Sequence, residues 1–62
     1  MNEFYNEIDK ALQSYESHKP YHTHRMEWIT DRIVWCWQWR KITKAQCDEL
    51  CERAIAIMDG GI

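Results

Sequence analysis

Residues 34–41 read VWCWQWRK, with tryptophan at the alternate positions 35, 37 and 39. Alternation is the mark of a strand. Ile33, Trp35, Trp37 and Trp39 would face one way, and Val34, Cys36, Gln38 and Arg40 the other. A lone strand would have no partner here, because neither neighbouring segment alternates, and a second chain would have to complete the sheet. Both neighbours carry apolar residues at helical spacing, so the stretch reads as the end of a helix.

On a wheel of about 100° per residue, that helix divides its large side chains between two stripes. Met26, Ile29, Ile33, Cys36 and Trp37 form one apolar face, expected to be the core face. Trp28, Trp35 and Trp39 form a second, narrow stripe with Arg25 and Arg32 between them, and Glu27, Asp31 and Gln38 mark the polar side. The alternation therefore splits: Trp37 is predicted to join the core, while Trp35 and Trp39 join the arginines.

Working outward, Phe4, Ile8, Ala11, Leu12 and Tyr15 recur along one side of a helix over residues 3–17, which Asn2 can cap. Pro20 disfavours helical backbone at the residue before it, so this helix is predicted to end ahead of it. Thr23 is the expected cap of the tryptophan helix, which spans residues 24–39. In the third segment Thr43 and Gln46 have capping-box spacing and open a helix over 44–58. Its apolar face is Cys47, Leu50, Cys51, Ala54, Ile57 and Met58, and Gly60 and Gly61 stop it. The run KITKAQCDELCERAIAI, residues 41–57, resembles the helical-hairpin pattern in which an "IT" turn opens a final helix. Many unrelated small proteins share that pattern, which supports the turn at Ile42 and Thr43 and implies no activity. The fold expected is all-α: one domain over residues 1–62, a small three-helix bundle, with a homodimer as a compatible assembly.

Composition narrows the function. At 45% hydrophobic and 29% charged, with one proline and two glycines, the chain is too apolar for disorder and too poor in Gly and Pro for a linker. Sixty-two residues bury only about 60% of their unfolded surface, which leaves a domain marginal without a staple or partner. The net charge of −2 argues against general affinity for nucleic acid or anionic membrane. The opening MNEFYNEIDK is acidic and amphipathic, unlike a secretory signal, and no apolar run approaches the ~20 residues of a membrane span. The expectation is a cytoplasmic protein, in the host cell if phage-encoded, whose odd count of three cysteines remains as thiols.

Charge is unevenly spread. Residues 1–17 hold Lys10 against Glu3, Glu7, Asp9 and Glu16, and the last 20 hold Lys44 and Arg53 against Asp48, Glu49, Glu52 and Asp59. Lys19, Arg25, Arg32, Arg40 and Lys41 crowd the middle, against Glu27 and Asp31. A basic, aromatic segment thus lies between two acidic ones, poised to neutralise them or to meet an acidic partner.

Other chemistry is weaker. Cys47 and Cys51 lie one turn apart on a helix, and with His22 and His24 are the candidate ligands for a metal. Their spacing departs from the usual zinc pattern, and both cysteines fall on the apolar face, so no metal and no cofactor are expected. His18, His22 and His24 flank Pro20, but nothing orients one of them on a cysteine and no oxyanion-type glycine turn is present, so no enzyme is expected. Single-strand binding by stacking on Trp beside Arg is the nucleic-acid alternative, opposed by the overall acidity. The reading reached is a non-catalytic module that binds a larger protein, as inhibitor or regulator of the phage or mobile-element accessory type. Its predicted docking residues are Arg25, Trp28, Arg32, Trp35 and Trp39. A structural homodimer with no external ligand is the third alternative.

Overall fold

The computed structural model describes residues 2–18 and 20–60. Three helices, α1 (Glu3–Glu16), α2 (Met26–Gln38) and α3 (Lys44–Met58), each pack against the other two, and no strand occurs among the described residues. The all-α three-helix bundle is therefore the fold, and the tryptophan stretch is helical up to Gln38. No helix among the described residues is long and apolar enough to cross a membrane.

Each helix begins and ends for an identifiable reason. Asn2 caps α1: its side-chain oxygen accepts from the amides of Phe4 (2.9 Å) and Tyr5 (3.1 Å), and its side-chain nitrogen donates to the Lys41 carbonyl at 2.7 Å. That last bond ties the start of α1 to the turn between α2 and α3. α1 stops at Glu16 because His18 adopts left-handed backbone (φ 52°), so the break precedes Pro20 by more than the proline alone requires. α3 opens with the capping box expected from its sequence: Gln46 N–H donates to Thr43 Oγ1 at 3.1 Å, and Thr43 N–H to Gln46 Oε1 at 3.0 Å. Gly60, at φ 76°, follows its end.

The start of α2 differs from expectation. Thr23 is not its cap; Arg25 holds the N-cap position without a side-chain bond, and the helix begins at Met26. The segment before it is pinned elsewhere. His22 stacks on Tyr15 with ring centres 3.7 Å apart, the Tyr15 hydroxyl donates to the His24 carbonyl at 2.9 Å, and the Thr23 amide reaches Ser14 Oγ at 3.4 Å. Chain held against α1 in this way cannot coil until Arg25.

The core is aliphatic and narrow. Ile8, Ala11 and Leu12 of α1, Ile29, Ile33 and Cys36 of α2, and Leu50 and Ala54 of α3 are fully buried or within 1% of it. Ile42, from the turn between α2 and α3, joins them at 5% exposure. Burying each large aliphatic side chain contributes about 2 kcal/mol. Two residues assigned to the core by period lie outside it: Trp37 is 43% exposed and Met58 is 56% exposed. Small Ala11, Cys36 and Ala54 lie buried among the aliphatic side chains, and of the four indoles only half-buried Trp28 packs against this cluster.

Polar bonds close the seam between α1 and α3, both acidic. Arg53 Nη1 donates to Asp9 Oδ1 at 2.6 Å, Nη2 to Glu16 Oε1 at 2.6 Å, and Nε to Glu16 Oε2 at 3.0 Å. The bond to Glu16, reinforced by that to Asp9, holds the guanidinium proton more tightly than usual. One turn away the Tyr5 hydroxyl donates to Glu49, which raises the phenol above its ordinary value.

Two stability measurements follow. Arg53→Ala would leave two carboxylates of α1, Asp9 and Glu16, without their cation at a partly buried seam, and urea unfolding should show a loss of about 2 kcal/mol. Arg40 ends α2 in a Schellman turn, with Lys41 N–H on the Cys36 carbonyl at 2.7 Å and Arg40 N–H on that of Trp37 at 3.0 Å. Its φ of 56° is one a side chain resists, so Arg40→Gly should raise stability by about 1 kcal/mol in the same assay.

Candidate protein-binding surface

α2 carries large aromatics on both flanks of its buried edge. The flank towards α1 is organised around Arg32. Its guanidinium carbon lies 4.6 Å from the ring centre of Trp35, 5.8 Å from Phe4 and 5.9 Å from Trp28. Its Nε stands 3.6 Å from Glu7 Oε1, an ion-pair distance too long for a hydrogen bond, and that buried nitrogen has no hydrogen-bond partner. Aromatic faces and one carboxylate, rather than hydrogen bonds, therefore hold the cation in place. With its side chain 30% exposed, Arg32 still presents positive charge at the surface.

Aromatic contacts extend this cluster along the helix. Trp28 is half-buried and stacks on His24 with ring centres 3.9 Å apart. Phe4 and Trp35 meet at 6.3 Å, and Trp35 and Trp39 at 6.2 Å, both pairs tilted. Lys41 Nζ lies 5.5 Å from the Phe4 ring centre. Exposure rises towards the end of α2, from half-buried Trp28 to Trp35 at 39% and Trp39 at 64%. A shallow recess of about 220 Å³ lies among Trp28, Asp31, Arg32 and Trp35.

Four of the five expected docking residues are thus brought together: Trp28, Arg32, Trp35 and Trp39. Arg25 is separate. It is the exposed N-cap of α2, and among the described residues it lies over no aromatic ring. A cation there also meets the positive end of the helix dipole. The wheel of α2 could not supply Phe4 and Glu7, which enter from α1. Their spacing in α1 held the signal, since Phe4 precedes Ile8 by one turn and Glu7 adjoins it.

The histidines and cysteines take other roles. His22 and His24 are engaged in stacks on Tyr15 and Trp28. Among the described residues, no group of three or more His, Cys, Asp or Glu side chains gathers to hold a metal ion, so His22, His24, Cys47 and Cys51 do not form the tetrahedron their types allow. Burial pushes the Cys36 thiol above its ordinary value. It does the same to Cys51, with neighbouring Cys47 adding to the effect. A raised pKa lowers the thiolate fraction, which is the reactive form.

Accessibility should then order the thiols. Alkylation at pH 8, followed by mass spectrometry, is expected to label Cys47 and Cys51 in the native protein. Cys36, fully buried, should be labelled only on denaturation. Rapid native labelling of Cys36 would contradict the packing of α2 described above. No protein-family model, curated protein or solved structure matches this chain.

Proposed function

We propose that the chain is a small, non-catalytic protein-binding module that inhibits or regulates a larger protein by occlusion. It docks the Trp28–Arg32–Trp35–Trp39 flank of α2 on its target. The observation that carries this reading is the pair Trp35 and Trp39, left 39% and 64% exposed beside a guanidinium already fixed by its neighbours. Trp and Arg are the side chains most enriched among binding anchors. An anchor ordered before binding loses little entropy on docking. The complementary surface on the target would offer an apolar pocket for Trp39 and carboxylates for Arg32 and Lys41. A reducing cytoplasm, where Cys36, Cys47 and Cys51 remain thiols, is the proposed setting. The small size is in keeping with the accessory proteins that phages and mobile elements encode.

The test uses immobilised wild-type chain beside the Trp35→Ala/Trp39→Ala variant, with helicity checked by circular dichroism. Both indoles are outside the core, so the variant should fold. A partner retained by the wild type should bind the variant at least about 30-fold more weakly, the equivalent of losing about 2 kcal/mol, one anchor's worth. Equal retention by a folded variant would overturn the reading. Steep loss of binding with added salt would favour a nucleic-acid ligand instead. A dimer on sizing, with blue-shifted tryptophan emission, would favour the structural homodimer.

A further inference from the structure

The opposite flank of α2 carries a second surface. Arg32, Trp35 and Phe4 mark the side of α2 that meets α1. At helical spacing Thr30, Val34 and Trp37 lie on the other side, towards α3, and Trp37 shares a recess of about 440 Å³ with Ile42 and Lys44 where α3 begins. α3 contributes Cys51, Ile55 and Met58 to the same face. Val34 is 49%, Ile55 52% and Met58 56% exposed. With Trp37 these make an apolar strip along the outer groove between α2 and α3, and contiguous exposed apolar surface of this kind marks interaction sites. It is about 20 Å long, the length of α2.

The borders of that strip are acidic. At helical spacing Glu27 lines its α2 side and Glu52 and Asp59 its α3 side, all exposed, while Asp48 on the α3 side is paired with Lys44 at 2.8 Å. Arg40 and Lys44 stand only at the end where the two helices join. The α2–α3 hairpin has two grooves. α1 fills the inner one, so the outer groove is the remaining place where a helix can pack on the same pair. We infer that this outer groove binds an amphipathic helix of a partner protein, of about three turns, with an apolar stripe flanked by Lys and Arg. The stripe covers Val34, Trp37, Ile55 and Met58, and the basic flanks meet the acidic borders. Arg40 orients the guest by taking its C-terminal end, where the helix dipole is negative, while Lys44 is held by Asp48. A second copy seated here by two-fold symmetry would set acidic borders against acidic borders, which disfavours it.

The experiment titrates the full chain, labelled with 15N, with a synthetic amphipathic peptide of about 14 residues that has a leucine stripe and lysine flanks. A twin peptide carries glutamate in place of lysine. Expected are saturable shifts at the amides of Thr30, Val34 and Ile55 and at the Trp37 indole, with the lysine peptide binding about tenfold or more tightly than its twin. Ile55→Glu, an exposed position, should weaken the lysine peptide by at least about tenfold with the fold intact. Trp35→Ala/Trp39→Ala should leave it unchanged, so that failure of this groove and failure of the Arg/Trp flank are told apart. Absence of saturable binding, equal binding of the twin, or shifts centred on Arg32 and Trp39 would each overturn the inference. So would self-association that Ile55→Glu abolishes.

Discussion

The width of the core governs what the rest of the molecule can do. Ala11, Cys36 and Ala54 are buried with Ile8, Leu12, Ile29, Ile33 and Leu50, and a core filled by these small and aliphatic side chains holds no fully buried indole. Trp35, Trp37 and Trp39 are all exposed, and Trp28 is only half-buried. With α1 on one side and α3 on the other, α2 carries Trp35 and Trp39 on one flank and Trp37 on the other. A wider bundle could have absorbed Trp37, and the surface of α2 would then have a single aromatic face. The narrow one leaves two surfaces of different character, one aromatic and cationic, the other apolar with acidic borders.

This arrangement was partly legible in the sequence. Helical period located all three helices, and the span of α3 matched expectation because the Thr43–Gln46 capping box and Gly60 are local signals that act through the backbone. The arginine–tryptophan stripe was legible too, since Trp28, Arg32, Trp35 and Trp39 are placed together by the helix alone. What period cannot report is volume. Trp37 and Met58 have the right phase for the core and the wrong fit, and only the distance between helices decides that. The start of α2 differs for a related reason: Thr23 is a good cap by type, but Tyr15 and Ser14, a helix away, hold its segment against α1. Ile42 and Arg53 acquire their roles from tertiary partners in the same way, one entering the core from a turn and the other crossing to α1.

Charge follows a similar logic. Two acidic helices would repel along their seam, and Arg53 prevents this by placing one guanidinium between Asp9 and Glu16. The basic middle segment is only partly consumed inside the fold: Arg32 faces Glu7, and Lys41 faces the ring of Phe4. Arg40 is held in left-handed backbone where glycine would cost less, at the end of the helix that carries both surfaces. Stability gives no reason for an arginine there. A cation at the junction of the two helices does have a use, at the basic end of an otherwise acidic groove.

Exposed aromatics on so small a domain carry a risk of self-association, and the charge pattern opposes it on each surface by different means. On the α1 side, an arginine embedded among the rings places like charges opposite each other when two copies meet face to face. On the α3 side, carboxylates along both borders do the same for the apolar strip. Each device discourages a copy of the chain and favours a partner of opposite charge, so solubility and selectivity share one cause. Binding on either flank would also stabilise a fold that is marginal by size, because a ligand that prefers the native state adds free energy by mass action. For a bundle of 62 residues with three tryptophans exposed, a partner that covered them would then add to what holds the structure together.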